Sequence, residues 1–185
     1  MKYILASKSP RRKELLSEIV ESFEIITAEV NEDLPEGIHP REGVELLAVR
    51  KGAAVAEANP DALVISSDTL VELGGVALGK PVDREDAIRM LTALSGKAHN
   101  VHTGVAVHFG GKVYSGVAST AVYFREMSNA EINDYVDSGD PMDKAGSYGI
   151  QSGGGKFVER IDGDYDTVVG LSVRLVKRLI DEATK

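Results

Sequence analysis

The chain has 185 residues and a formal charge of −8, from 21 Lys and Arg against 29 Asp and Glu, with a pI near 5.0. That length suffices for one domain or a compact two-lobed unit with a real core, and the acidity argues against wrapping nucleic acid or coating an anionic membrane. The composition is 43% hydrophobic and 27% charged with no cysteine, which argues against disorder, excludes disulfides, iron–sulfur clusters, thiol catalysis and cysteine zinc sites, and suits a reducing cytoplasm.

In chain order, residues 3–6 form a short apolar strand. Ser9-Pro10 opens a helix, with Ser as N-cap, Pro at the first helical position, and Leu15, Leu16, Ile19 and Val20 as the buried stripe. Residues 23–30 read as a strand, and 31–40 as a loop on two prolines and a glycine. A helix over 42–58 carries Val44, Leu47, Ala48 and Val55 and ends at Asn59-Pro60-Asp61. The run ALVISS, 62–67, is a buried strand with Asp68 at its carboxyl end, and 71–79 read as a hairpin around Gly74-Gly75. Asp83 caps a helix to Leu94, which Ser95-Gly96 stops. Residues 99–109 and 112–124 flank Gly110-Gly111 as the clearest hairpin of the chain. Ser128 and Glu131 form a capping box for a helix to about Asp137. Residues 141–155 are a long glycine-dense loop and 156–161 a strand. One final helix starts at Asp166 or Thr167 and carries Leu171, Leu175, Val176, Leu179 and Ile180. No linker divides 1–185, so the chain reads as a single α/β domain on a mixed sheet. No signal-peptide pattern opens it, and no apolar run nears the ~18 residues of a membrane helix.

Four segments invite chemistry. Residues 8–13 hold four basic side chains in an otherwise acidic chain, at the start of a helix. Positive charge there opposes the helix dipole, and an anionic ligand would reverse that penalty; the other reading is a solvated basic patch. Asp68 stands where open α/β sheets place ligands, suited to hold a divalent ion or orient water, or simply to cap a turn, although the apolar Leu70 and Val71 give no obvious turn after it. Gly74 to Pro81 spells GGVALGKP, a false P-loop: Pro81 stands where a Mg²⁺-binding hydroxyl belongs, though Lys80 is placed to meet a phosphate. The stretch DPMDKAGSYGIQSGGG mixes Asp143, Lys144 and Gln151 with glycines that let backbone approach a ligand closely; the other reading is a mobile hairpin connection. The acidic turn 162–166 lacks the glycine and glutamate positions of a calcium loop, and the four histidines lack zinc spacing. Neither a dinucleotide fingerprint nor a nucleophile elbow is present.

Seven strings in order resemble the Maf family of nucleoside triphosphate pyrophosphatases. They are LASKSPRRKELL (5–16), SSDTLV (66–71), GKPVD (79–83), A-x-x-M-L-x-x-L-S-G-x-x-H (87–99), HTGV (102–105), DKAGSYGIQ (143–151) and GDYDTVVGL (163–171). The resemblance implies an elongated α/β fold with a mixed twisted sheet and two lobes around a deep cleft, similar to inosine triphosphate pyrophosphatases, and a homodimer. It implies hydrolysis of a nucleoside triphosphate to monophosphate and pyrophosphate with Mg²⁺ or Mn²⁺. Asp68 matches the catalytic acidic residue, and Glu32 an acidic residue near the metal. Arg11, Thr69 and Gln151 match positions that mark the branch preferring dTTP and UTP over 7-methyl-GTP. Ser7, Arg12, Lys51, Lys80 and Lys144 match polar positions lining the cleft. Two departures stand out: Ser172 replaces a proline, and Arg50-Lys51-Gly52 replaces the usual Glu-Lys-Ala. The family's link to septum formation leaves an alternative, a nucleotide-binding regulator of cell division without essential catalysis.

Overall fold

The computed structural model describes residues 1–185. Seven strands form one mixed sheet: β1 (Lys2–Leu5), β2 (Glu24–Ile25), β3 (Ala62–Leu73), β4 (Val76–Leu78), β5 (Ala98–Phe109), β6 (Lys112–Phe124) and β7 (Val158–Asp162). Their order is β2-β1-β3-β5-β6-β7, with β4 on β3. The pairs β1–β2 and β1–β3 are parallel, whereas β3–β4 and β6–β7 are antiparallel. Six helices complete the fold: α1 (Pro10–Ser17), α2 (Pro40–Glu57), α3 (Arg84–Leu94), α4 (Asn129–Asp137), α5 (Tyr165–Val169) and α6 (Val173–Ala183). No helix is long and apolar enough to cross a membrane.

The chain divides into two compact units, each with its own core. The first comprises Met1–Thr69, Thr103–Ala118 and Gly170–Lys185. In it, side-chain alternation along β3 splits the core between the two sheet faces. Leu63 and Ile65 pack with Leu5, Leu16, Val105, Leu171 and Val176, while Ala62 and Val64 pack with Ile4, Ala6 and Val55 of α2. The second unit comprises Leu70–His102 and Ser119–Val169. Its core joins Leu91 and Leu94 of α3 to Val101, Phe124, Ile132, Tyr135, Tyr148 and Phe157.

The helix starts follow their sequence signals. Ser9 caps α1 with Pro10 in its first turn, Asp83 accepts from Asp86 N–H at 2.8 Å, and Ser128 and Glu131 form the reciprocal capping box. Gly110 and Gly111 turn between β5 and β6 with φ of 58° and 74°, the left-handed pair that a two-residue hairpin needs.

Four expectations change. The strand expected to end at Ser67 runs on to Leu73, so Asp68 lies mid-strand. Leu70 and Val71 continue the β pattern, and the first turn residues are Gly74-Gly75. The strand expected over 23–30 shrinks to Glu24–Ile25, because only two residues find a register on the outer side of β1. The loop 141–155 holds three 3₁₀ turns, Asp140–Asp143, Ala145–Ser147 and Gly153–Phe157. The single final helix is broken at Gly170, whose φ of 131° no helix accommodates, and α6 restarts behind the N-cap Ser172. Ser172 thus caps α6 by accepting from the Leu175 N–H at 3.3 Å.

Candidate functional site

The first unit assembles its polar groups around residues 67–69 of β3. Alternation sends Ser66 and Asp68 to the face covered by α2, and Ser67 and Thr69 to the other. Ser66 donates to the Ala48 carbonyl at 2.7 Å, so α2 lies directly over this stretch. The buried stripe of α2 runs through Val44, Leu47, Ala48 and Val55, and Lys51 falls within it. A lysine in an apolar stripe needs an anionic partner, and Asp68 supplies one. The Lys51 ammonium donates to Asp68 Oδ1 at 2.5 Å and pairs with Glu32 Oε1 at 2.9 Å. The Asp68 and Lys51 side chains are 12% and 20% exposed, while Glu32, on the loop before α2, is 62% exposed.

On the other face, Arg12 reaches in from the first turn of α1. Its guanidinium donates to the Gly170 carbonyl at 2.8 Å, to Thr69 Oγ1 at 3.2 Å and to Ser7 Oγ at 3.4 Å. Thr69 shares a 3.0 Å hydrogen bond with Thr103, and Ser67 donates to the carbonyls of Gly104 and Gly170. The break at Gly170 therefore frees a carbonyl that holds both Arg12 and Ser67. Burial pushes the Arg12 guanidinium below its ordinary pKa; Asp68 and Glu32 oppose the shift, and Arg11 adds to it. Two adjacent arginines at a helix start with no acidic residue in the first turn leave an electropositive spot that an anion would satisfy.

Thus Ser7, Arg11, Arg12, Glu32, Lys51, Asp68 and Thr69 all belong to the first unit, where contacts join them in two groups: Arg12 with Ser7 and Thr69, and Lys51 with Asp68 and Glu32 on the other face of β3. Lys80, Lys144 and Gln151 belong to the second unit. Lys80 and Gln151 are exposed, and the Lys144 ammonium is held by Asp140 Oδ1 at 3.1 Å, the Asp140 carbonyl at 2.7 Å and Asp143 at 2.8 Å. The glycines of this stretch serve the loop itself. A Cβ on Gly149 would stand 2.7 Å from the Lys144 stem, and one on Gly153 2.8 Å from the Tyr135 ring. Ser67, Thr103, Gly104 and Gly170 are uncharged and carry no sequence signal of their own for this site, although HTGV and GDYDTVVGL contain three of them.

The residues flanking Lys51 each have a local role. Arg50 leaves the site and donates to the carbonyls of Asn31 and Asp33, fixing the loop that carries Glu32. A Cβ on Gly52 would lie 2.5 Å from both the His108 ring and the Ser66 hydroxyl, so this chain uses glycine where a histidine fills the neighbouring space.

Glu32 and Asp68 offer two hard oxygen donors that already converge on one cation, a set that fits Mg²⁺ or Mn²⁺ completed by water and phosphate oxygens. No cluster of three or more acidic or histidine ligands exists to hold a metal without such help.

Residues 2–183 match the Maf-like protein family. The chain belongs to that family. Among Maf-like relatives, a dTTP/UTP pyrophosphatase of Bacillus anthracis is 49% identical over 179 residues, 96% of this chain and 94% of the relative. One of Bdellovibrio bacteriovorus is 45% identical over 186 residues, 97% of both chains. One of Pelotomaculum thermopropionicum is 48% identical over 170 residues, 91% of this chain and 89% of the relative. The solved Staphylococcus aureus Ham1 protein, 16% identical with a TM-score of 0.47 over 67% of this chain and 72% of that one, is too slight a likeness to bear on the site.

Proposed function

We propose that this Maf-like chain hydrolyses dTTP and UTP to the monophosphate and pyrophosphate. The observation that carries the reading is Asp68, a buried carboxylate in mid-strand, gripped by Lys51 in the same unit as the Arg12 fork. The names of relatives 45–49% identical over nearly the whole chain supply the substrate class.

In the reaction, water attacks the α-phosphorus, the bond to the bridging oxygen breaks, and pyrophosphate leaves with the electron pair. Four negative charges make neutralisation and positioning the main tasks. Arg12, held rigid by Gly170, Ser7 and Thr69, presents its charge to the polyphosphate, with Arg11 and Lys51 adding theirs. Asp68 orients the attacking water and accepts its proton. Glu32 and Asp68 would hold the divalent ion, which supplies charge neutralisation on the phosphates when bound. Lys80 is assigned to phosphate. Thr69 and Gln151 are assigned to the pyrimidine, whose ring carbonyl and N–H an amide pairs with together. A cytoplasmic homodimer belongs to the same proposal, and sedimentation of the purified protein checks its second half.

The test is a panel of dTTP, UTP, dCTP, ATP, GTP and 7-methyl-GTP with Mg²⁺ or Mn²⁺, assayed separately for pyrophosphate and phosphate. Pyrophosphate from dTTP and UTP is expected, and Asp68→Asn should lose about 10²-fold or more in kcat while binding nucleotide. Orthophosphate as the product, or near-normal turnover by that variant, refutes the mechanism. Binding without turnover by the wild-type protein would favour a regulator.

A further inference from the structure

The geometry points to Asp140 as a positioning residue for base recognition: it ties down the turn that carries Gln151. The inference deepens the proposed function and rests on its assignment of Gln151 to the pyrimidine.

The Asp140 carboxylate is a local hub. Its Oδ2 accepts from the Tyr135 hydroxyl at 2.6 Å and from the Ser152 hydroxyl at 2.7 Å, and its Oδ1 accepts from the Lys144 ammonium at 3.1 Å. The Tyr135 hydroxyl in turn accepts from the Gly149 N–H at 3.1 Å. Gln151 is exposed, yet the residue after it and the residue two before it are both fastened, through two or fewer hydrogen bonds, to one carboxylate. An exposed glutamine on a free loop would lose several rotor and backbone freedoms on binding, whereas one on an anchored turn has lost most of them beforehand.

The rest of the loop is fixed just as firmly. Tyr135 is itself anchored in the core of the second unit, its ring 5.4 Å from Phe157. Gly146 donates to the Gly79 carbonyl at 3.1 Å and lies against Val71, which ties the loop to the segment bearing Lys80. Ser147 is the one non-glycine residue with positive φ, 63°, and is fully buried. Strain of that kind persists only where the surroundings over-determine it. Burial works against ionising Asp140, but the hydrogen bonds from Ser152, Tyr135 and Lys144 outweigh it and keep its pKa below the ordinary carboxylate value. On this view Lys144 acts as a strut of the loop, its three oxygen partners all lying within Asp140 and Asp143.

The experiment compares wild type with Asp140→Ala, Tyr135→Phe and Gln151→Ala, in kinetics on dTTP, UTP and dCTP and in tryptic cleavage after Lys144. Tyr135→Phe keeps the ring in the core, so it serves where Asp140→Ala fails to fold. Both loop variants should raise KM for dTTP and UTP by about tenfold and flatten discrimination against dCTP, with kcat changed less than about threefold. Both should speed cleavage after Lys144, whereas Gln151→Ala should share the kinetic change without it. Asp140→Asn, which keeps an acceptor for the two hydroxyls, should recover much of the selectivity. Looser loops with unchanged KM and selectivity overturn the inference and leave the function standing. A wild-type protein that releases no pyrophosphate from any pyrimidine triphosphate overturns both.

Discussion

Replacing His99 by leucine should flatten the acid side of the stability profile. His99 is 3% exposed, its Nε2 lies 2.7 Å from the Tyr148 hydroxyl, and its Nδ1 has no partner. Phe124 and Tyr148 meet the ring edge-on at 4.9 and 5.4 Å. The imidazolium would carry an Nδ1–H with no acceptor in an apolar setting, and burial lowers the His99 pKa from 6.5 to about 4. The unfolded chain therefore takes up the proton first, so stability is whole above pH 6.5 and falls as the pH drops toward 4. The two pKa values imply a loss of about 2 kcal/mol by pH 5 and about 3 kcal/mol by pH 4, levelling off below. His99→Leu removes this loss and forfeits the Tyr148 hydrogen bond, about 1 kcal/mol at pH 7. Urea denaturation from pH 3.5 to 8 should show the variant weaker at neutral pH and the curves converging or crossing below pH 5.5. Parallel curves across that range would refute the reasoning.

Two further outcomes follow from the packing. Arg12→Lys keeps the charge but cannot bond Gly170, Ser7 and Thr69 together, so kcat/KM on dTTP should fall about 10²-fold with little change in Tm; wild-type activity would show that charge alone suffices. Gly52→Ala should cost about 1–3 kcal/mol by chemical denaturation through its clash with His108 and Ser66. His108→Val in the same chain should recover part of that, and failure to recover would place the clash at Ser66.

Much of this molecule is decided locally. Ser9-Pro10, Asp83 and the Ser128–Glu131 box start helices because each supplies an acceptor to orphan N–H groups within three residues. Gly110-Gly111 turns because only a pair tolerant of positive φ fits there. The alternation of β3 and the stripe of α2 are periodic signals of the same kind, and the motif strings carried the family. Tertiary structure decided where those pieces meet. No local rule says that the carbonyl of Gly170, freed at a helix break, holds Arg12 from 158 residues away. The pairing of Lys51 with Asp68 and Glu32 depends on α2 crossing one face of β3, and the anchoring of the Gln151 turn depends on Tyr135 reaching from another helix. Short-range hydrogen bonds and side-chain periodicity are written in the sequence. Which buried charge finds which partner is settled only when the core closes and water is gone.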